Sequence, residues 1–364
     1  MGKKGLDLLI IHGNSSNSLH GHANVHYVSN LLARHDAYVV FPLDGEPSLF
    51  VEVYNHLPNS RDISVIRDTR WAGVDSGGTI VKTVLEKGQE KSQIGLVGRI
   101  PYQVYQRLTK ELPRAGLSDV TRSFNELRLV KSEEELEWIR RGAAFTDRAM
   151  EALEHQIRPG MRETEIGRIV SDAYLGAGGQ THFYYAASTS MKSAEVCVPA
   201  QHLSDRKIER GDVVITEVSV SFWGYSGQIH RPLSVQCSPT KDYQILYNIA
   251  DDAYDELSKV IRAGATESDV LGAADIIDES GFTIYDALVH GFGVDIQPPD
   301  IRTNKTSHAP PTSFVFEKNM TVVIQPNVVT KDEKRGIQLG NLMQVTENEA
   351  VPIQKYPIKF IQCG

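Results

Sequence analysis

Residues 211–235, GDVVITEVSVSFWGYSGQIHRPLSV, leave few options for the chain that contains them. A Gly-Asp turn opens a β-branched run, Val213, Val214 and Ile215. A Trp-Gly-Tyr turn then precedes Gln228-Ile229-His230-Arg231-Pro232-Leu233. Such runs between turn formers predict two strands. Side chains alternate between the faces of a strand, so Glu217 and Ser219 share one face, and so do Gln228 and His230. Polar groups placed this way either line a pocket or form a hydrated sheet surface.

With 364 residues the chain has room for two domains. Its net charge is −8 and no run of Lys or Arg stands out, which argues against a nucleic-acid partner and against an anionic membrane surface. The apolar run in MGKKGLDLLIIHG stops at a His-Gly turn, too short to span a bilayer, and no small-residue cleavage site follows. It is expected as the first strand of a folded domain. Cys197, Cys237 and Cys363 have no close spacing, so neither a disulfide framework nor a zinc knuckle is predicted and the expected compartment is the cytoplasm.

Residues 6–125 alternate strand and helix patterns, which predicts an α/β domain with a helix-covered sheet. LDLLII, AYVVFPL, SLFVEV, ISVI and QIGLVG have strand character; ANVHYVSNLLARH and PYQVYQRLTKEL have helical spacing. His12, His20, His22 and His26 cluster early. The HxH of His20 and His22 lies in a Ser/Asn-rich loop without nearby carboxylates, so a surface loop or a dimer contact is expected ahead of a metal site. A boundary falls near Arg128, giving domains 1–128 and 129–364. Ser132 and Glu135 form a capping box for a long amphipathic helix through Leu136, Ile139, Ala143 and Met150.

The second domain repeats itself. Ile157-Arg158-Pro159-Gly160-Met161-Arg162-Glu163 and Ile261-Arg262-Ala263-Gly264-Ala265-Thr266-Glu267 each place a Gly turn three residues ahead of a Glu and an apolar helical pattern. Two such copies predict a duplicated α+β unit, and a site between the halves draws on both. Further on, Asp286-Ala287-Leu288-Val289-His290-Gly291 precedes a proline-rich loop and two more strands, TVVIQPNVV and GIQLGNLMQVT. Gln325 and Asn327 share a face of the first; Gln338 and Gly340 share a face of the second. Four strands offering polar or small residues with period two favour a pocket over a hydrated surface.

The order of these segments resembles the pita-bread superfamily of Xaa-Pro aminopeptidases, prolidases, methionine aminopeptidases and creatinase. The resemblance rests on LRLVKSEEELEWIR, PGMRETEIG, SDRKIERGDVV, the GY-x-x-x-I-x-R turn and strand, HGFGVDIQPP and GIQLGNLMQVT, and it covers nearly the whole chain. It implies an α+β fold class: a C-terminal pita-bread fold with a curved antiparallel sheet, preceded by a smaller α/β creatinase-like N-terminal domain. It also implies a homodimer in which one subunit's N-terminal domain closes the other's site, a setting that would give His20 or His22 a role. The family's metallopeptidases hold two metal ions with two Asp, one His and two Glu. Carried over, these positions fall on Glu217, Gln228, His290, Gln325 and Gly340, and a second active-site His falls on Gln297.

A pair of divalent cations needs several carboxylates. The expectation is therefore no catalytic metal, no cofactor, and a metal-independent enzyme of the creatinase type. It would be a hydrolase or lyase acting on a small polar or aromatic molecule. Glu217, His290 and His230 are the candidate acid/base groups. Gln228, Gln325, Tyr184, Tyr185, His202 and Arg231 are the candidate substrate-binding residues. Each has a structural counterpart: Glu217 as an ion-pair partner of His290 or Arg231, Arg231 as an ion-pair former, and the His182–Tyr185 run as core. Two other functions remain open, a catalytically inactive binding module and an Xaa-Pro peptidase.

Overall fold

The computed structural model describes residues 1–16, 20–308 and 310–364. Residues 17–19, in the Ser/Asn-rich loop before His20, and residue 309, in the proline-rich loop, lie outside them. The chain divides into two compact units, Met1–Arg128 and Leu129–Gly364.

The first unit is a six-stranded sheet with helices. Its strands are β1 (Leu8–Gly13), β2 (Ala37–Pro42), β3 (Ser48–Val51), β4 (Asp68–Trp71), β5 (Gln93–Val97) and β6 (Gly116–Asp119), in the order β4-β3-β2-β1-β5-β6. The helices are α1 (Ala23–Ser29), α2 (Leu57–Ile63), α3 (Ser76–Glu86), α4 (Tyr102–Glu111) and α5 (Thr121–Glu126). β1 runs parallel to β5 and antiparallel to β2. Alternate residues of β1 bury themselves in two separate apolar clusters, Leu9 and Ile11 in one and Leu8 and Ile10 in the other.

Three sequence expectations change here. Residues 63–66 are not a strand: Ile63 ends α2, Val65 is 70% exposed, and the strand begins at Asp68. The helix expected through residue 35 stops at Ser29, because Asn30 takes a left-handed φ of 64°. His22, expected on a surface loop or at a dimer contact, is buried at the start of α1, and His20 is half-buried in a turn. His12, His22 and His26 are buried, and His12 Nε2 lies 3.1 Å from Asp36 Oδ1. Burial, with His22 and Arg128 nearby, pushes the His26 pKa down to about 3.

The second unit carries α6 (Glu133–Gln156), α7 (Glu163–Asp172), β7 (Gln180–Ser190), β8 (Asp212–Phe222), β9 (Tyr225–Val235), α8 (Lys241–Val260), α9 (Glu267–Ala274), α10 (Ile276–Glu279), β10 (Val289–Gly291) and β11 (Gln297–Ile301). β12 (Thr321–Ile324), β13 (Asn327–Val329), β14 (Gly336–Gln338), β15 (Gly340–Val345), β16 (Ala350–Pro352) and β17 (Ile361–Cys363) complete it. The main sheet runs β11-β10-β12-β15-β9-β8-β7, antiparallel throughout, with β16 on β15 and β17 parallel to β9.

The repeat is explicit in the hydrogen bonds. Gly160 N–H donates to Ile208 O and Gly264 N–H to Phe316 O; Ile208 N–H donates to Met161 O and Phe316 N–H to Ala265 O. Both glycines have positive φ, 92° and 86°, at the turn that launches α7 and α9. The two halves thus repeat one turn with different side chains around it.

The capping box of Ser132 and Glu135 starts α6, whose apolar stripe includes Leu136, Ile139, Ala143, Ala149, Met150 and Leu153. The helix lies directly on the β8–β9 hairpin. A methyl group on Gly142 would come within 2.6 Å of Tyr225 O, and one on Gly227 would collide with Ala143 Cα. Helix and hairpin meet backbone to backbone, so this seam has no slack. Gly227→Ala is expected to destabilise the protein by about 3 kcal/mol, read as a lowered midpoint in urea unfolding; a midpoint unchanged from wild type would show that the seam can open without cost.

Candidate functional site

The register of the sheet builds the site. Tyr185 of β7 pairs with Glu217 of β8, Glu217 with His230 of β9, and His230 with Gly340 of β15. Directly paired residues of antiparallel strands project to the same face, so these four positions form one row across four strands. Gln228 lies on the same face two residues from His230. Gln325, immediately after β12, reaches Gln228 from the other side of the row.

Gln228 Nε2 is the centre of the cluster. It lies 3.0 Å from Glu217 Oε1, 3.2 Å from Gln325 Oε1 and 3.3 Å from His230 Nε2. An amide nitrogen has two hydrogens, so three acceptors compete for two donors. Gln228 Oε1 and His230 Nδ1 are buried without a partner among the described residues. With His230 Nε2 as acceptor, Nδ1 carries the ring hydrogen, so the cluster leaves Gln228 Oε1 wanting a donor and His230 Nδ1 wanting an acceptor, both of which a bound molecule can supply. Gln325 Nε2 in turn donates to Asp286 Oδ2 at 3.1 Å and to Ala287 O at 3.0 Å.

His290 stands beside this set on β10. Its Nδ1 lies 3.1 Å from Gly291 O. A carbonyl accepts, so Nδ1 carries the hydrogen and Nε2 is left as an acceptor. Burial pushes the His290 pKa below the usual imidazole value, against the Gly291 hydrogen bond and the charges of Asp286 and Glu217. Tyr185 is shifted upward, first by burial and then by the Glu217 charge. The outer wall is apolar: Phe183, Phe292, Val323 and Leu342 pack together, with Tyr185 stacked on Phe183 at 4.9 Å.

Other expected binding residues lie elsewhere. Tyr184 alternates to the opposite face, where its hydroxyl fills the space above Gly167 of α7. His202 is exposed in the segment before β8. Arg231 points away from Glu217 and is fully buried. Its five N–H groups donate to Pro357 O, His230 O, Gly340 O, Asn341 Oδ1 and Tyr356 O at 2.7–2.9 Å. A guanidinium has no sixth donor, so Arg231 is a structural clamp, made neither with Glu217 nor available to a substrate. Glu217 approaches His230 instead, at 3.8 Å. Lys131 escaped the sequence analysis; it is buried and donates to Gln297 Oε1 at 2.6 Å and to Leu129 O. Its place one residue before the capping box was the available signal.

The residues gathered here do not fit a pair of divalent cations. Gln228 turns an N–H donor toward Glu217, which repels a cation. Gly340 has no room for a side chain, since a methyl group there would collide with Ile324 O. Among the described residues, no group of three or more His, Cys, Asp or Glu is placed to hold a metal ion.

The model of metallopeptidase family M24 matches residues 137–347, and that of the creatinase/prolidase N-terminal domain matches residues 1–130. This chain belongs to metallopeptidase family M24. It is 25% identical over 297 residues to the Xaa-Pro dipeptidase of Pyrococcus furiosus, covering 80% of this chain and 75% of that protein. In fold it matches the X-Pro aminopeptidase from Thermotoga maritima MSB8 with a TM-score of 0.85 at 20% identity, over 99% of this chain and 97% of that one. The prolidase from Pyrococcus horikoshii OT3 matches with a TM-score of 0.82 at 22% identity, over 99% and 97%. The family's architecture is therefore present, a creatinase-like N-terminal domain and a pita-bread domain with a curled antiparallel sheet.

These findings overturn the expected metal-independent creatinase-type hydrolase or lyase for small polar or aromatic molecules. The relatives are named Xaa-Pro dipeptidase and prolidase. The creatinase-type reading rested on the changed ligand positions, and a change of ligand residues does not by itself name another reaction. Among the described residues, no helix is long and apolar enough to cross a membrane.

One consequence of His290 burial is measurable. A folded pKa below the unfolded one means that its stabilisation is present above about 6.5 and is lost as pH falls below it. The ring is expected to keep neutral-imidazole resonances in NMR spectra of the folded protein at pH 6. Ordinary titration at pH 6.5 would contradict the buried geometry.

Proposed function

We propose that this chain acts on short peptides with proline in the second position, as an Xaa-Pro peptidase. The observation that carries the proposal is the family match across both units, joined to relatives named for that substrate class. The site has the matching chemistry. Glu217 offers a carboxylate to a peptide α-ammonium, and the partly exposed ring of Tyr185, stacked on Phe183, offers an apolar face to a pyrrolidine ring. Gln228 donates to the acid and to Gln325 Oε1, so Gln325 steadies the acid only through Gln228.

A second reading is favoured by the neutral amides at Gln228 and Gln325 and by the closed space at Gly340. In it the chain binds such peptides and releases them intact. Alanyl-proline incubated with the protein, with and without added Mn²⁺ or Co²⁺, separates the two. Release of free proline is the expected result, with KM raised about tenfold in Glu217→Gln through loss of a charge-assisted contact. Thermal stabilisation by the dipeptide without proline release transfers the assignment to the binding reading. Neither release nor stabilisation with any Xaa-Pro dipeptide removes both.

A further inference from the structure

The strand that carries Gln228 and His230 is not fully closed against its neighbour. β9 and β15 pair at two positions, His230 with Gly340 and Ile229 with Asn341. The next pair in register is Gln228 with Leu342, and there the strands separate. β15 turns to the tail of the chain: Met343, Gln344 and Val345 pair with β16, and Ile353 N–H donates to Leu342 O. Gln228 O and Leu342 N–H are left on either side of a gap inside the protein, where unpaired main-chain groups are costly.

Gln354 fills the gap. Leu342 N–H donates to Gln354 Oε1 at 3.0 Å, and Gln354 Nε2 donates to Gln228 O at 2.9 Å and to Thr146 Oγ1 of α6 at 3.4 Å. The side chain is buried. One amide with an acceptor on one side and a donor on the other takes the place of the missing rung of the ladder. The main-chain carbonyl it grips belongs to the residue whose own amide sits between Glu217, His230 and Gln325.

We propose that Gln354 is a positioning residue for the functional site. It holds the Gln228 backbone at the point where the sheet splits, and so sets the reach of Gln228 Nε2 to Glu217. Gln354 itself touches no substrate. Without it, Gln228 O loses its partner and β9 is free to move at the residue that organises the cluster. Small displacements of such groups have large effects on binding.

The test compares Gln354→Met with Gln344→Met in the full chain; Gln344 is half-buried on β15 and bonds Asn319 Oδ1 away from the cluster. Two quantities are read: the Gln228 side-chain amide resonance in ¹⁵N-glutamine-labelled protein, assigned by its loss in Gln228→Ala, and the dissociation constant for alanyl-proline. Gln354→Met is expected to move the Gln228 resonance and to weaken binding about tenfold, whereas Gln344→Met changes neither. A lowered melting temperature with resonance and affinity unchanged would make Gln354 merely structural and overturn the proposal. If Gln354→Met fails to fold, Gln354→Glu is read instead. It keeps the acceptor for Leu342 N–H but sets an acceptor against Gln228 O, and an unmoved Gln228 resonance in that variant likewise overturns the proposal. The affinity measurement rests on the Xaa-Pro assignment, but the resonance does not. Wild-type protein that fails to bind alanyl-proline therefore refutes that assignment and leaves the role of Gln354 to the resonance.

Discussion

Arg231 is the fixed point of the second unit. Its guanidinium is buried, and five hydrogen bonds join β9, β15 and the tail around Tyr356 and Pro357. A buried cation without a bonded carboxylate carries a heavy desolvation cost, seen in a pKa lowered to about 10. Full use of every donor offsets that cost. Because its acceptors include the carbonyl of Gly340 and the side chain of Asn341, the clamp also fixes the register that pairs His230 with Gly340. A slip of one residue would turn Arg231 toward the site and His230 away from it.

The polar cluster inherits this rigidity. It lies in a sheet whose strands β8 and β9 are buried almost end to end, so its groups must find partners within the protein. They nearly do, and the remainder is informative. Three acceptors surround the two hydrogens of Gln228 Nε2, and the Glu217 side chain keeps 12% of its surface exposed. Membership of a metallopeptidase family thus coexists with a cluster of amides and imidazoles in which one carboxylate and the amide oxygens, as acceptors, suit an organic cation better than two metal ions. Fold and site carry separate information.

The fold class was legible because it depends on local pattern and on order along the chain. The capping box at Ser132, the doubled Gly turns and the alternation in β8 and β9 each act through neighbours in sequence, and the structure contains all of them. The errors arose where local signals compete. Residues 63–66 are β-branched enough for a strand, yet Ile63 completes a helix and the edge strand falls on the more polar Asp68–Trp71. In the site, alternation correctly separates faces within one strand, which is why Glu217, Gln228 and His230 lie together. The same alternation sends the neighbours Tyr184 and Tyr185 to opposite faces, so only one of them can belong to the row.

Backbone periodicity and turn chemistry set the elements, their order and the polar positions that share a face, and all of these can be read along the chain. Which strands lie side by side, in what register, and where the sheet splits depend on packing in three dimensions. Gln354 meets Gln228 across 126 positions of chain, and Arg231 meets Pro357 across the same separation. No local pattern records such meetings. They arise when buried donors and acceptors far apart in sequence must find each other inside a space that excludes water.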